Sequence, residues 1–196
     1  MNAILKSAPA DRATAGPLDS TEVRHDGQYL DLGSIRVPAI DNVGVKLEVE
    51  EATGKPIAVT LETGSWSIQL QAFAAPRSEG VWTEVKGQLA ESINSQGGQT
   101  EERVGSLGPE LIAKLPVANE AGAVVGTRLA RFVGVDGPRW FLRGVISGAA
   151  LTDPKAAADA DDLFRAVVVH RSEVPMPPKD LLPIQIPGQA PQVTSL

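Results

Sequence analysis

The stretch RLARFVGVDGPRWFLRGVIS, residues 128–147, decides the fold of this chain. Two runs of mostly alternating residues flank the turn sequence DGP, and this arrangement is typical of an antiparallel β-hairpin. Because Pro138 cannot donate the hydrogen bond that closes a two-residue turn, we expect a longer loop over 135–138. This loop pairs Gly134 with Arg139. The stretch therefore predicts a sheet that is mainly antiparallel.

The predicted register places the hairpin side chains on two faces, because cross-strand partners share a face. The first face is apolar apart from Arg131 and contains Leu129, Val133, Val135, Trp140, Leu142 and Ile146. The second face collects arginines beside apolar and aromatic residues: Arg128, Arg139, Arg143, Phe132, Phe141 and Val145. The two faces of the hairpin therefore differ in chemistry.

Positive charge is concentrated in this hairpin. Residues 128–143 contain four arginines and one aspartate, a local charge of +3 in a chain whose net charge is −6. Arginine beside an aromatic ring binds phosphates or stacks on bases, which favours nucleotide or nucleic-acid binding through Arg128, Arg139, Arg143 and Phe141. The alternative is structural, with arginines that pair with acidic side chains or lay their stems over apolar surface.

The rest of the central region predicts further strands and two helices. Apolar residues alternate with polar ones over 43–50 and 66–71, as in strands with one buried face. Apolar residues recur at helical spacing over 79–94, where Ser78 is the expected N-cap, and again after Asp153. The predicted fold class is α+β, a mainly antiparallel sheet with two amphipathic helices. Since each half ends in a hairpin followed by a helix, an internal strand-hairpin-helix duplication is a further hypothesis.

Composition divides the 196 residues into three parts. Residues 1–27 have no hydrophobic period and predict a flexible N-terminal tail. Residues 28–172 carry the strand and helix patterns, and their number is right for a single α+β domain. Six of the 15 prolines lie within residues 173–196, which predicts an extended, Pro-rich C-terminal arm.

Composition also excludes several classes of protein. The chain has no cysteine, so it is neither a disulfide scaffold nor an enzyme with a thiol nucleophile or a Cys-ligated metal. It has two histidines, His25 and His170, and we predict no metal site and no cofactor. No apolar run approaches the roughly 18 residues that span a membrane, and no secretory signal pattern is present. We therefore expect a cytoplasmic protein without a membrane span.

Two motifs resemble a known family. They are FAAPRSEGVW at residues 73–82 and RFVGVDGPRWFLRGVISG at residues 131–148. Both resemble an actinobacterial family of uncharacterised proteins, a domain of unknown function, and the similarity covers most of the chain. The resemblance implies no activity or cofactor. Proline, glycine and tryptophan in these motifs serve turns and packing, whereas four of the charged motif residues are less easily explained by packing: Arg77, Glu79, Arg139 and Arg143.

These observations leave three hypotheses for function. The motifs of catalysis and phosphate binding are missing, which favours a non-enzymatic protein-interaction module that binds a partner, or itself, with a sheet face or helix groove. The second hypothesis is nucleotide or nucleic-acid binding through the arginine and aromatic face. The third is a hydrolase with an unrecognised carboxylate site. The candidate binding residues are Arg77, Glu79, Arg128, Arg139, Phe141 and Arg143.

Overall fold

The computed structural model describes residues 4–24 and 27–188, and His25 lies outside these ranges. The strands are β1 (Leu18–Asp19), β2 (Tyr29–Asp31), β3 (Ile35–Pro38), β4 (Gly44–Val49), β5 (Pro56–Glu62), β6 (Trp66–Ala74), β7 (Gln99–Gly105), β8 (Gly108–Ala118), β9 (Val124–Asp136), β10 (Trp140–Gly148) and β11 (Val168–Val169). The helices are α1 (Arg12–Ala15), α2 (Trp82–Ser95) and α3 (Pro154–Arg165), and a 3-10 turn follows β10 at Ala149–Leu151. The predicted α+β fold class is confirmed.

A seven-stranded antiparallel sheet forms the centre of the molecule, in the order β4-β5-β6-β10-β9-β8-β7. The two halves of the chain meet where β6 pairs with β10, from Trp140 opposite Ala74 to Gly148 opposite Trp66. A smaller sheet has the order β1-β11-β3-β2, and β1 runs parallel to β11. The mainly antiparallel sheet that the hairpin predicts is thus confirmed.

The two faces of the large sheet carry separate hydrophobic cores. Helix α3 and the small sheet cover one face, where Trp140 and Leu142 pack with Phe164. Helix α2 covers part of the other face, where Trp82 packs with Phe141. Both halves thus follow a hairpin with a helix, and the two helices lie on opposite faces. Internal duplication stays a hypothesis.

The predicted register of the β9–β10 hairpin is wrong. Gly134 pairs with Arg143 rather than with Arg139, and Asp136 pairs with Phe141. Strand β9 continues to Asp136, and the Gly137 N–H donates to the Trp140 carbonyl at 2.8 Å, which leaves a loop over 137–139. The partner of Gly134 moves by four residues, an even number, so each side chain keeps its predicted face.

Helix α2 begins at Trp82, three residues after the predicted start, and a distant strand caps it. The Asp136 carboxylate of β9 accepts the N–H of Val81 at 2.8 Å and that of Trp82 at 3.3 Å. It also accepts the N–H of Ser7 at 2.9 Å. A carboxylate at the positive end of a helix dipole is favourable, so Asp136 takes the place that the sequence assigns to Ser78.

We expect Asp136→Asn to change how stability depends on pH. Burial raises the pKa of Asp136, although hydrogen bonds from Ser7, Val81 and Trp82 act in the opposite direction. A carboxyl whose pKa is higher in the folded state stabilises the fold most when it is protonated, below its unfolded pKa of about 3.9. This contribution is lost as pH rises through the folded pKa.

The variant lacks this ionisation, so the stability of the wild type relative to Asp136→Asn should fall as pH rises above about 4. Urea unfolding of both proteins at a series of pH values measures the difference. Two curves that stay parallel across the series would contradict the prediction.

The sequence predicts a flexible tail over residues 1–27. Residues 4–24 of this segment make specific contacts with the rest of the chain. The Gly80 N–H donates to the Ile4 carbonyl and the Asp136 N–H to the Ser7 carbonyl, both at 2.8 Å. The Asp19 carboxylate accepts the indole N–H of Trp140 at 2.9 Å. Burial acts to raise the pKa of Asp19, but its hydrogen bonds and the charge of Arg12 outweigh burial and lower it.

The proline-rich arm lies on the same chain over residues 173–188. The Leu182 N–H donates to the Ala72 carbonyl and the Ala74 N–H to the Asp180 carbonyl, both at 2.8 Å. The arm thereby pairs with the last residues of β6, beyond those that pair with β5, and Leu182 and Ile184 are buried in the core that also contains residues of α3. Five prolines, at positions 175, 177, 178, 183 and 187, exclude a helix from this segment and leave its backbone groups free to pair with β6.

Candidate functional site

Arg131, the arginine on the predicted apolar face, belongs to a buried ion network. Its guanidinium lies 2.6 Å from Glu110 and 2.6 Å from Asp161, which joins β9 to β8 and α3. Arg103 contacts the second oxygen of Glu110 at 2.7 Å. Burial acts to lower the pKa of Arg131, but the two carboxylates outweigh the effect of burial, and the pKa is raised. Arg131 therefore follows the structural alternative, in which arginines pair with acidic side chains.

Phe141 is one of the predicted binding residues, and its ring lies inside the protein. Only 1 % of its surface is exposed. Phe73 and Trp82 both stack with it, each with ring centroids 5.8 Å away. A base therefore has no access to the Phe141 ring in this structure.

The other predicted binding residues lie apart. Arg77 and Glu79 are exposed in the loop between β6 and α2. Arg139 lies in the β9–β10 turn, 3.6 Å from Glu173. Arg128 is exposed on β9, six residues before Gly134, the partner of Arg143. Since a strand rises about 3.3 Å per residue, roughly 20 Å separates Arg128 from Arg143 along the sheet.

Arg143 lies on the part of the sheet that helix α2 leaves open. Its guanidinium donates to the side-chain oxygen of Gln71, its cross-strand partner on β6. The guanidinium carbon lies 5.5 Å from the centroid of the Phe73 ring. Burial lowers the pKa of Arg143, and no carboxylate of residues 4–24 and 27–188 lies within 4.0 Å of it. Of the six predicted residues, Arg143 alone thus combines accessibility with a fixed position.

The sequence does not predict a second site, a cleft of about 610 Å³ on the opposite face of the sheet. The β3–β4 loop, the β5–β6 turn and helix α3 surround it. Five apolar residues belong to its lining, and we refer to them as its floor: Ile40, Val43, Trp66, Leu163 and Ala166. Three carboxylates line its rim, Asp41, Asp159 and Asp162, and the residues that line it include no lysine or arginine. We refer to it as the acidic cleft.

Two partial signals of the acidic cleft are present in the sequence. Trp66 follows a turn and begins a strand pattern that directs its side chain inward. Asp159 and Asp162 belong to the acidic run of helix α3, and such a run is typical of a solvated helix face. Asp41 joins them only through tertiary packing, because the β3–β4 loop lies about 120 residues from α3 in the sequence.

Residues 4–24 and 27–188 contain no group of three or more His, Cys, Asp or Glu side chains that could hold a metal ion. His170 lies near the small sheet, where its Nδ1 is 2.9 Å from the Ser20 hydroxyl. No helix among the same residues is long and apolar enough to cross a membrane.

A family model described as "Protein of unknown function (DUF3710)" matches residues 16–193. The chain belongs to this family. The prediction that most of the chain belongs to a domain of unknown function is thus confirmed. The match covers the small sheet, the large sheet, α2, α3 and the arm, so the DUF3710 region contains both Arg143 and the acidic cleft.

No curated protein matches this DUF3710 chain. Among solved structures, it is similar to the solution structure of cyanobacterial PsbP (CyanoP) from Synechocystis sp. PCC 6803. The two chains are 14 % identical, and the similarity covers 79 % of this chain and 99 % of that one with a TM-score of 0.44.

Proposed function

We propose that this chain is a non-enzymatic protein-interaction module that binds a basic segment of a partner protein in the acidic cleft. The observation that carries the proposal is the combination of an apolar floor with three carboxylates and no lining cation. A lysine or arginine side chain has the matching form, because its stem is apolar and its head is charged. The cleft therefore favours a partner that presents such a side chain beside apolar residues.

The floor of the cleft supplies the apolar part of this recognition. Trp66 and Leu163 are buried residues that still line the cleft, so an incoming side chain contacts them without a change of the core. The Trp66 ring also attracts a cation that lies over its face. Each ångström squared of apolar surface that the partner covers contributes about 25 cal/mol.

The rim supplies the charge. Asp41 and Asp162 lack an ion pair within the described residues, and Asp159 is 2.7 Å from Lys155. Because Lys155 and Asp159 are largely exposed, their pair contributes little, and a partner cation competes with it at low cost. Two carboxylates are thus available to a cation in the cleft, and the third becomes available by exchange.

A titration with short peptides tests this proposal. In ¹H–¹⁵N NMR spectra of the full chain, acetyl-Leu-Arg-Leu-amide should cause saturable shifts at Ser65, Trp66 and Leu163. Acetyl-Leu-Glu-Leu-amide, which differs only in charge, should not. Asp41→Asn combined with Asp162→Asn should weaken binding of the arginine peptide by about threefold or more.

The matched control is Glu101→Gln combined with Glu120→Gln, which removes the same two charges at exposed positions away from the cleft. This variant should bind the arginine peptide as the wild type does. Equal losses in both double variants would show that the net charge of the chain, and not the cleft, attracts the peptide, and would overturn the proposal. Equal binding of the glutamate peptide would do the same.

A further inference from the structure

Arg143 is a charged side chain that its protein surroundings do not neutralise. It is half-buried, and one acceptor, the Gln71 side chain, binds its guanidinium. Its Nε atom is buried without a hydrogen-bond partner in the described part of the chain. A buried, unpaired polar group is costly, and the cost is larger for a charged one. The described residues therefore leave part of the donor capacity of the Arg143 guanidinium unused.

The neighbours of Arg143 hold it in one place on the open face. Gln71 flanks it on β6 and also donates to the Ile57 carbonyl at 3.0 Å, which fixes the acceptor. Gly134 flanks it on β9, where a Cβ atom would lie 2.4 Å from the Trp82 ring. Glycine is thus required for Trp82 to pack against β9 beside Arg143. The guanidinium is consequently preorganised, which reduces the entropy that binding costs.

We propose that Arg143 binds the oxyanion of a small ligand, either a carboxylate or a phosphate group, on the open face of the sheet. A guanidinium has five donors in a planar fork that matches both groups. One amino group is used by Gln71, and the Nη1 group makes no hydrogen bond to the described residues. An oxyanion that approaches from solvent meets Nη1 first, and its neighbouring atoms lie beside the Phe73 ring.

The spacing of the arginines favours a single anionic group over a polyanion. Arg128, the other unpaired arginine of the hairpin in the described ranges, lies roughly 20 Å from Arg143 along the sheet. A nucleic acid would therefore gain one phosphate contact at Arg143 and no aromatic stacking from the buried Phe141. This site lies on the face opposite to the acidic cleft, so it does not depend on the proposed function.

NMR of the arginine side chains in the ¹⁵N-labelled full chain tests this inference. Because the Nε of Arg143 is shielded from water, its N–H should give a slowly exchanging signal. Sodium phosphate and sodium benzoate, each added at constant ionic strength with sodium chloride, are the two probes. We expect this signal to shift saturably with at least one of them, and the probe with the higher affinity identifies phosphate or carboxylate as the ligand group.

Arg143→Gln should weaken that binding about tenfold or more, whereas the matched variant Arg128→Gln should leave it unchanged. Arg143→Lys, which keeps the charge but loses the fork, should bind less well than the wild type. Neither probe shifting the Arg143 signal beyond the chloride control would overturn the inference. Equal losses in Arg128→Gln and Arg143→Gln would also overturn it. If Arg143→Gln fails to fold, the wild-type titration and Arg143→Lys decide.

Discussion

Replacing Arg131 with methionine should lower the free energy of unfolding by about 3–5 kcal/mol. Arg131 is 3 % exposed and Glu110 is 2 % exposed, so the carboxylate of Glu110 stays buried after its main partner is removed. Asp161 loses its 2.6 Å contact at the same time. Methionine fills a similar volume, which confines the change largely to charge. Urea unfolding followed by circular dichroism measures the loss.

Arg103→Met is the matched control, because Arg103 contacts the same carboxylate from an exposed position. Half of the Arg103 side chain, 51 %, is in contact with solvent. A pair of this kind contributes about 0–1 kcal/mol, so this variant should stay close to the wild type. Substitution of both Arg131 and Glu110 by methionine should recover much of the stability, since the buried carboxylate is removed together with its main partner. Arg103 and Asp161, which also lose a partner, are both more exposed than Glu110. Losses below about 1 kcal/mol in Arg131→Met would contradict the prediction.

The network also positions the acidic cleft. Asp161 ties helix α3 to β9, and its neighbour Asp162 is on the rim of the cleft. A helix that is free to shift on the sheet would move Asp162 relative to Asp41 on the β3–β4 loop. Arg131→Met should therefore also weaken binding of the arginine peptide in the NMR titration, although Arg131 does not line the cleft. Because Arg131 does not line the cleft, such a loss of affinity would arise from a shift of helix α3 and not from a lost contact between Arg131 and the peptide.

The face of each hairpin residue is predictable from sequence, whereas the register is not. Alternation is a local property with a period of two, so Trp140 and Phe141 are placed on opposite faces by their spacing alone. The register depends on where the turn closes. Asp136 stays in β9 because Ser7 binds its backbone and α2 needs its carboxylate, and both partners are distant in the sequence.

The candidate site, too, has features that the local sequence predicts and features that depend on tertiary packing. The sequence predicts Arg143 as a binding residue because packing does not explain its charge, and no carboxylate of residues 4–24 and 27–188 lies within 4.0 Å of its half-buried guanidinium. Phe141 is predicted as a binding residue because of its aromatic ring. The burial of this ring depends on Trp82 of helix α2, which stacks with it from a distant part of the chain. The acidic cleft combines Asp41, Trp66 and Asp162 from three distant segments, so no local pattern predicts it.

The C-terminal arm should contribute to the stability of its own domain, and Leu182→Ala is the direct test. Leu182 is 2 % exposed and packs in the core beside α3, so truncation to alanine leaves a cavity and should lower the free energy of unfolding by about 2–5 kcal/mol. Urea unfolding measures this loss, with the oligomeric state followed by light scattering. Because Leu182 packs in the core of its own chain, the variant should have a lower free energy of unfolding and an unchanged oligomeric state.

Leu181→Ala is the matched control, with the same side chain one position earlier and only partly buried. In an extended arm adjacent side chains point to opposite sides, so Leu181 lies outside the core that holds Leu182. Its truncation should cost clearly less than that of Leu182. Equal small losses in both variants, accompanied by a change of oligomeric state, would contradict this prediction. That result would show that Leu182 does not fill the core in solution, because truncation of a core position leaves a cavity whichever copy supplies the side chain.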